Sequence, residues 1–448
     1  MATASGGAHW SSRFAFVMAS VGFAVGLGNI WRFPYVTGEN GGSAFVLIYL
    51  LCAFGIGVPC LIAELVIGRR GQSSPPTSMA RVAEESGRSR HWGAVGGMGV
   101  LTAFAISITY AVVVGWVLAY LARAVMTGFA GVDAQNSSAA FDVLLADIGG
   151  MLFWTLIGNI IVGLIIFSGV KGGIERAVNI MMPLMFSLLI GLGVYNMFAG
   201  GFMETLEWLF TPDFSKVGPS TLLAAVGQAF FSIGVGMGGM MTYGSYLPKD
   251  FSITRGAITV VFADTLVALL AGFVVFPAVF HYGLDMASGA GLIFQTLPVA
   301  FAQMPGGHLF AVLFFVMLSV AGITSMVGLL ESVTAWVGER FKLHRHVGSA
   351  VVVATVTCCS VASVLSYGVW ADYRVAGMNF NDIAFAVPDK LLLPLGGLLI
   401  AGFAGWFMLR RHSEDELGAA PGVYQVWRNL VRFFAVPAVA FILISGLA

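Results

Sequence analysis

Four ionisable residues lie inside or beside apolar runs of this sequence that are long enough to cross a membrane. They are Arg32, Glu64, Asp264 and Glu331. Charged groups are expensive at membrane depth, so each of them is a candidate functional residue. Asp264 is open to three interpretations: a protonated buried acid, the partner of an arginine, or a ligand of a cation. Glu331 is either a proton-linked carboxyl or a hydrogen-bonding brace.

A cluster of neutral oxygen atoms is predicted in the run AGITS at 321–325. Thr324 and Ser325 follow Ala321 by three and four positions, so on a helix they share one face with its carbonyl. Such oxygen ligands suit a hard cation. The alternative is that both hydroxyls donate to the preceding helical turn. Further neutral polar candidates at membrane depth are Asn29, Tyr110, Gln228 and Ser232.

Two dense glycine clusters, at 22–28 and 234–239, interrupt apolar runs. Each glycine costs about 1 kcal/mol of helix propensity relative to alanine, so both runs are predicted to unwind. At membrane depth, unwound backbone is tolerated only when it is buried in protein or lines a cavity. There, helix N-termini attract anions and free carbonyls attract cations. The alternative is close helix packing by small residues. Glu64 is predicted to brace the freed N–H groups.

Composition excludes several classes of protein. Of 448 residues, 58% are hydrophobic and 10% are charged, and the net charge is zero. A soluble globule carries about 25% charged residues, and zero net charge indicates no nucleic-acid partner. Unbroken apolar runs argue against an outer-membrane barrel. The four cysteines and seven histidines show no disulfide or metal spacing, and the N-terminus does not resemble a cleavable signal peptide. An all-α polytopic membrane protein remains.

Eleven membrane spans are predicted in a single membrane domain, residues 1–448. They cover 12–36, 42–68, 94–126, 150–168, 175–199, 221–246, 254–282, 308–338, 347–367, 388–410 and 424–446. Of 22 Lys and Arg residues, 17 fall on the side of the N-terminus, which predicts a cytoplasmic N-terminus, an external C-terminus and a location in the plasma (inner) membrane. The segment 283–307 is predicted to be an outer loop that acts as a lid.

The two glycine-interrupted spans hold matching positions, first and sixth, in two halves of five helices. One repeat is predicted over 1–200 and the other over 221–411, with 424–446 as an additional helix. A matched pair of broken spans indicates a transport site between inverted repeats.

The run GFAVGLGNIWRFP at 22–34, followed by ENGG at 39–42, resembles the signature of the neurotransmitter:sodium symporter family. The resemblance extends along nearly the whole chain through Glu64 with Gly68–Arg69, AVGQAFFS at 225–232, TYGSY at 242–246 and AGITS. The span count is similar to that of the bacterial hydrophobic amino-acid transporters, which have the leucine-transporter fold.

The resemblance implies two sodium sites and no other cofactor. Sodium site 2 would use the carbonyls of Gly22, Val25 and Ala321 with the hydroxyls of Thr324 and Ser325. Sodium site 1 would use the Ala24 carbonyl with Asn29, Ser232 and Asp264. Many members have Asn at the last position, so the extra negative charge of Asp264 is expected to make transport independent of chloride.

The resemblance also implies a site for a neutral amino acid. Its carboxylate would meet the amides of Leu27 and Gly28 and the Tyr110 hydroxyl, and its amine would meet carbonyls near Ala24 and Phe231. The side-chain pocket would be Ile106, Tyr110, Phe231, Gly234, Met237, Ser325 and Leu329, and Ser232 would also contact the substrate. Gly234 and the adaptable thioether of Met237 leave room for a bulky hydrophobic or aromatic L-amino acid.

Two gates follow from the same resemblance. Outside, Arg32 with Gln228 and a lid of Tyr110 and Phe231 match the family pattern. Asp382 is expected to be the acidic partner of Arg32, with Asp389 as the alternative. Inside, the matching residues are Trp10, Ser245, Tyr246 and Glu339. The usual Arg before Trp10 is replaced by Gly6, Gly7 and Ala8, so Arg13 is a candidate replacement. Gly173 and Pro183 match a motif that unwinds the fifth span.

The resulting hypothesis is a sodium-coupled amino-acid symporter that works by alternating access, and not an enzyme. A proton- or cation-coupled permease of the same fold is the alternative, and a ligand-gated channel or sensor is a further one.

Overall fold

The computed structural model describes residues 9–284, 289 and 291–447. In this part of the chain the regular structure is helical, apart from one isolated bridge between Val375 and Met378. In chain order the helices are α1 (Arg13–Ala24), α2 (Gly28–Glu39), α3 (Ser43–Gly71), α4 (Pro75–Glu85), α5 (Arg90–Met126), α6 (Ala134–Ala146), α7 (Ile148–Phe167), α8 (Val170–Ala199), α9 (Phe202–Phe210), α10 (Pro219–Ile233), α11 (Gly239–Ser245), α12 (Ile253–His281), α13 (Leu292–Gln303), α14 (Gly307–Phe341), α15 (Arg345–Leu365), α16 (Phe380–Phe407), α17 (Arg410–Leu417) and α18 (Pro421–Ser445).

Nine of the helices in the described ranges are long and apolar enough to cross a membrane, and the bent pair α1–α2 makes ten. The pair turns by 49° at residues 25–27. The predicted sixth span is divided into α10 and α11, which are too short to cross separately. Between them Gly234, Gly236 and Gly238 adopt φ values of 74°, 90° and 70°. Side chains rarely tolerate this conformation, so the glycines make the break possible. The count of eleven stays a prediction.

The connections between the predicted spans contain short helices. They are α4 within 70–92, α6 within 127–149 and α13 within 283–307. Asp133 begins α6 by accepting the Asn136 N–H at 2.7 Å, as an N-cap does. Residues 285–288 and 290 of the predicted lid lie outside the described residues, as do Gly6, Gly7 and Ala8.

The broken helices lie at the centre of the bundle. Among the long helices α14 is the most deeply buried, and it packs against α1 and α5. In the apolar parts of α7, α8, α15, α16 and α18, most residues are not buried within the bundle, as expected for helices that face lipid. We call the end of the bundle where α1 begins the N-terminal face.

Candidate functional site

Gly26 brings the break in the first span into contact with two other helices. A Cβ atom at this position would overlap the Ser325 hydroxyl of α14 and lie 2.8 Å from the Tyr110 hydroxyl of α5. Tyr110 in turn accepts the Leu27 N–H at 3.2 Å. Only a glycine allows this approach, so the bend is held by contacts that a side chain would prevent.

One oxygen cluster joins the end of α1 to α14. The Ser325 hydroxyl lies 3.3 Å from the Gly22 carbonyl and 3.2 Å from the Val25 carbonyl. Thr324, whose Cβ lies 3.4 Å from the position of a Cβ on Gly22, donates back to Val320 at 3.0 Å and Ala321 at 3.1 Å. Back-bonding therefore occurs at Thr324, and its hydroxyl still keeps lone pairs for a cation. The structure brings together the residues expected for sodium site 2.

A second, fully buried cluster surrounds Asn29. Its Nδ2 atom lies 2.9 Å from Ser232 Oγ, 2.9 Å from the Asp264 carbonyl and 2.8 Å from Asp264 Oδ1. Ser232 also donates to Asp264 Oδ2 at 2.8 Å, and the Tyr49 hydroxyl lies 3.5 Å from the same atom. No Arg or Lys of the described chain pairs with Asp264. Of the three interpretations, pairing with an arginine is wrong.

A cavity adjoins these clusters, since its lining includes Ser325 and the chain neighbours of Asn29 and Ser232. Nine of the eleven residues expected at the substrate site line it: Ala24, Gly28, Ile106, Tyr110, Phe231, Gly234, Met237, Ser325 and Leu329. The other two contribute in other ways, since Leu27 offers its amide to Tyr110 and Ser232 belongs to the Asn29 cluster. The free volume is about 30 Å³, so a bulky side chain enters only if lining side chains move.

Glu64 binds the broken part of the sixth span. Its carboxylate accepts the Gly236 N–H at 2.6 Å and the Met241 N–H at 3.2 Å. A Cβ on Gly68, one turn later in α3, would overlap the Met241 carbonyl. The carboxylate satisfies N–H groups that the break leaves without helical partners, which is a bracing geometry.

Above the cavity, Arg32 forms a two-pronged ion pair with Asp389, at 2.9 and 3.1 Å. Its guanidinium carbon also lies 4.4 Å from the centre of the Phe231 ring. The expectation that Asp382 is the partner is wrong, because Asp382 caps the first turn of α16 by accepting the Asn379 N–H. Asp389 lies two turns further along the same helix face and reaches into the bundle.

Gln228 is expected beside Arg32 in the outer gate. Its Nε2 atom donates to the Gly28 carbonyl at 2.9 Å, one turn before Arg32 on α2. This bond links α10 to the first turn of α2, so Gln228 holds the two broken spans together.

On the N-terminal face, Trp10 covers the end of α11. Its indole N–H donates to the Tyr243 carbonyl at 3.0 Å, and its backbone N–H donates to the Tyr246 carbonyl at 3.2 Å. The Tyr246 hydroxyl donates to Glu331 at 2.8 Å. Arg345 donates to both oxygens of Glu331, at 2.9 and 2.7 Å. Glu331 is therefore a hydrogen-bonding brace in this structure.

The other expected inner-gate residues make different contacts. Arg13 lies 3.8 Å from Asp250 with both side chains about 70% exposed, so this pair is worth little. Glu339 accepts the Ser74 N–H at 2.8 Å, at the start of α4. Neither residue joins the cluster of Trp10. Ser245 donates to the Thr242 carbonyl at 2.7 Å, within its own helix. The role of Arg13 as a replacement latch stays a prediction.

A match to a known family decides which family the chain belongs to. The Sodium:neurotransmitter symporter family matches residues 7–139 and 140–446. The chain belongs to this family. Its members are sodium-dependent membrane transporters and not enzymes.

Individual relatives agree with the family assignment. The chain is 35% identical to an uncharacterised sodium-dependent transporter of Bacillus subtilis, YhdH, over 97% of both chains. It is 25% identical to the sodium- and chloride-dependent GABA transporter ine of Drosophila melanogaster, over 93% of this chain and 48% of that one. The crystal structure of MhsT in complex with L-phenylalanine superposes with a TM-score of 0.91 at 38% identity, covering 98% of this chain and all of MhsT.

Two residues that contact the site or its inner closure are not predicted from the sequence. Phe23 lines the cavity because its ring fills the space beside three glycines, Gly234, Gly239 and Gly328. The glycine run around Phe23 is a local signal, but its partners are distant in sequence. Arg345 follows the connection after α14, so only the fold brings it to Glu331.

Proposed function

We propose that this family member is a symporter that imports a neutral L-amino acid with two sodium ions by alternating access. The observation that carries the proposal is the position of two oxygen clusters, around Ser325 and Asn29, next to a cavity bounded by both helix breaks. Hydroxyl, carbonyl and carboxylate oxygens are suitable ligands for a hard cation. Sodium binding would complete the cavity and couple its occupation to the sodium gradient.

The proposed substrate is a bulky hydrophobic or aromatic L-amino acid. The Gly28 amide at the N-terminus of α2 is proposed to meet the substrate carboxylate. The Leu27 amide donates to the Tyr110 hydroxyl in this structure, and both groups would turn to the carboxylate when substrate binds. The remaining wall is apolar, and the flexible thioether of Met237 can adapt to a large side chain. The expectation that Gly234 leaves room is not met in this structure, because the Phe23 ring lies beside that glycine. The similar protein MhsT has been crystallised with L-phenylalanine, which supports this substrate class.

Asp264 is proposed to replace chloride. A buried carboxylate beside a sodium ion supplies the negative charge that balances it, and this one has no cationic side chain as partner among the described residues. The same carboxylate could instead carry a proton. For this reason a proton-coupled permease is the second candidate.

Alternating access is proposed to use the two closures described above. The Arg32–Asp389 pair would open toward the outside and the Arg345–Glu331–Tyr246 cluster toward the cytoplasm, with the N-terminal face inside the cell. We also propose that the single domain contains two repeats of five helices, with α18 as an additional helix. Each closure is a small set of polar contacts, which is suited to a two-state element.

Ligand binding by the purified protein tests the sodium and substrate proposals. L-Phenylalanine should raise the unfolding temperature in sodium chloride and in sodium gluconate, but not in potassium chloride. Stabilisation in potassium at low pH, without sodium, would favour the proton-coupled alternative.

A further inference from the structure

An apolar groove lies on the surface of the bundle, away from the transport site. It has a volume of about 280 Å³ and is formed by α5, α14 and α15. Its walls include Gly97, Phe104, Val333, Trp336, Val351 and Thr355. Leu101 and Val351 at its edge are 55% and 46% exposed. Since these helices are apolar and long enough to cross a membrane, the groove opens toward lipid.

The depth of the groove matches a lipid acyl chain. With a rise of 1.5 Å per residue, the lining positions reach about 12 Å from the N-terminal end of the bundle on α14 and about 21 Å on α5. The hydrocarbon core is about 30 Å thick, so the groove spans most of one leaflet. An added Cβ on Gly97 would meet no atom within 4 Å. Here the glycine keeps space open instead of allowing a close helix contact.

Positive charge lies where the groove meets the N-terminal face. Arg340 follows Trp336 by one turn on α14, and Lys342 ends that helix. Both side chains are exposed, and neither forms an ion pair with a described residue. Trp336 lies five residues before the end of α14, and tryptophan is enriched at membrane–water interfaces. An apolar slot below two free cations is complementary to an anionic headgroup with an attached chain.

We propose that this groove holds an anionic glycerophospholipid, with one acyl chain beside Gly97 and its phosphate at Arg340 and Lys342. This proposal depends only on the protein being in a membrane and is independent of the transported substrate.

Native mass spectrometry of the detergent-purified protein tests the proposal, using phosphatidylglycerol and phosphatidylcholine of equal chain length. The parent should retain one phosphatidylglycerol in preference to phosphatidylcholine. Gly97→Leu should fill the groove and abolish this retention. Its control is Gly191→Leu, because Gly191 also faces open space but lies on α8.

The headgroup is tested separately. Removing cations with Arg340→Gln and Lys342→Gln should weaken phosphatidylglycerol retention by about fivefold per charge and leave phosphatidylcholine unchanged. The control is Arg411→Gln, an exposed cation of α17. Equal retention of both lipids by the parent, or unchanged retention in Gly97→Leu, would overturn the proposal. So would a protein dimer that Gly97→Leu dissociates, because the groove would then be covered by a second copy.

Discussion

The side-chain amide of Asn29 joins the Asp264 carboxylate to the break in the first span. Its nitrogen donates to Asp264 Oδ1 at 2.8 Å, while its oxygen accepts the Gly26 N–H at 3.0 Å. Gly26 in turn lies against the Ser325 hydroxyl of the other oxygen cluster. The two proposed sodium sites are therefore connected through one glycine and one asparagine.

Gly26→Ala should abolish sodium-dependent uptake. The added methyl group would overlap the Ser325 hydroxyl and crowd that of Tyr110, and it would push α14 away from the break. Uptake into proteoliposomes measures the effect. Gly227→Ala in α10 is the matched control, because its Cβ meets nothing within 4 Å. Normal transport by Gly26→Ala would contradict the proposed link between the sites.

Asp264→Asn should weaken sodium binding and create a response to chloride. The carboxylate supplies the negative charge beside the proposed ion. The sodium affinity is expected to fall about tenfold, which corresponds to a loss of about 1.4 kcal/mol of binding free energy. Titration of sodium in chloride and in gluconate gives both quantities, with Asp382→Asn as the control. Equal sodium affinity in the parent and in Asp264→Asn would argue that Asp264 is a protonated acid.

Asp389→Asn should accelerate release of bound substrate toward the outside, whereas Asp382→Asn should leave the rate unchanged. Asp389 forms the ion pair with Arg32, which also lies over the Phe231 ring that covers the cavity. Dissociation of radiolabelled L-phenylalanine measures the rate. If the two variants behaved alike, the assignment of the outer gate to Asp389 would fail.

Arg345→Gln should open the N-terminal face. The Glu331 side chain is fully buried, and breaking a buried pair by removing one partner costs about 3–5 kcal/mol. Arg345→Gln with Glu331→Gln should recover part of that loss, because no unpaired charge remains. Unfolding of the single and double variants by denaturant measures the coupling energy between Arg345 and Glu331. The control is Arg13→Gln, which removes an exposed ion pair and should change the free energy of unfolding by less than about 1 kcal/mol.

The sequence predicts the broken helices because their cause is local. The backbone at positions 234, 236 and 238 has positive φ values, which glycine adopts most readily, and position 26 has no room for a side chain. Both breaks can therefore be predicted from the glycines in the sequence. Helical spacing predicts the oxygen set of Ala321, Thr324 and Ser325, whereas its pairing with the first break and the ligand set around Asn29 are implied by the family resemblance. The family resemblance, rather than spacing alone, supplies most of the cavity residues.

Side-chain partners that come from different helices cannot be predicted from local residue types. Asp382 and Asp389 occur on the same face of one helix, so only the depth of α16 in the bundle selects Asp389 for Arg32. Arg345 reaches Glu331 across a helix connection, and Phe23 fills space left by glycines of other helices. These contacts depend on the relative axial positions of packed helices.

Uptake of amino acids into proteoliposomes tests the central claim most directly, with the sodium, chloride and proton gradients varied one at a time. The account predicts that an inward sodium gradient alone drives saturable accumulation of large hydrophobic or aromatic L-amino acids, at equal rates in chloride and in gluconate. Accumulation driven by a proton gradient without sodium, or saturable binding with no accumulation under any gradient, would contradict it.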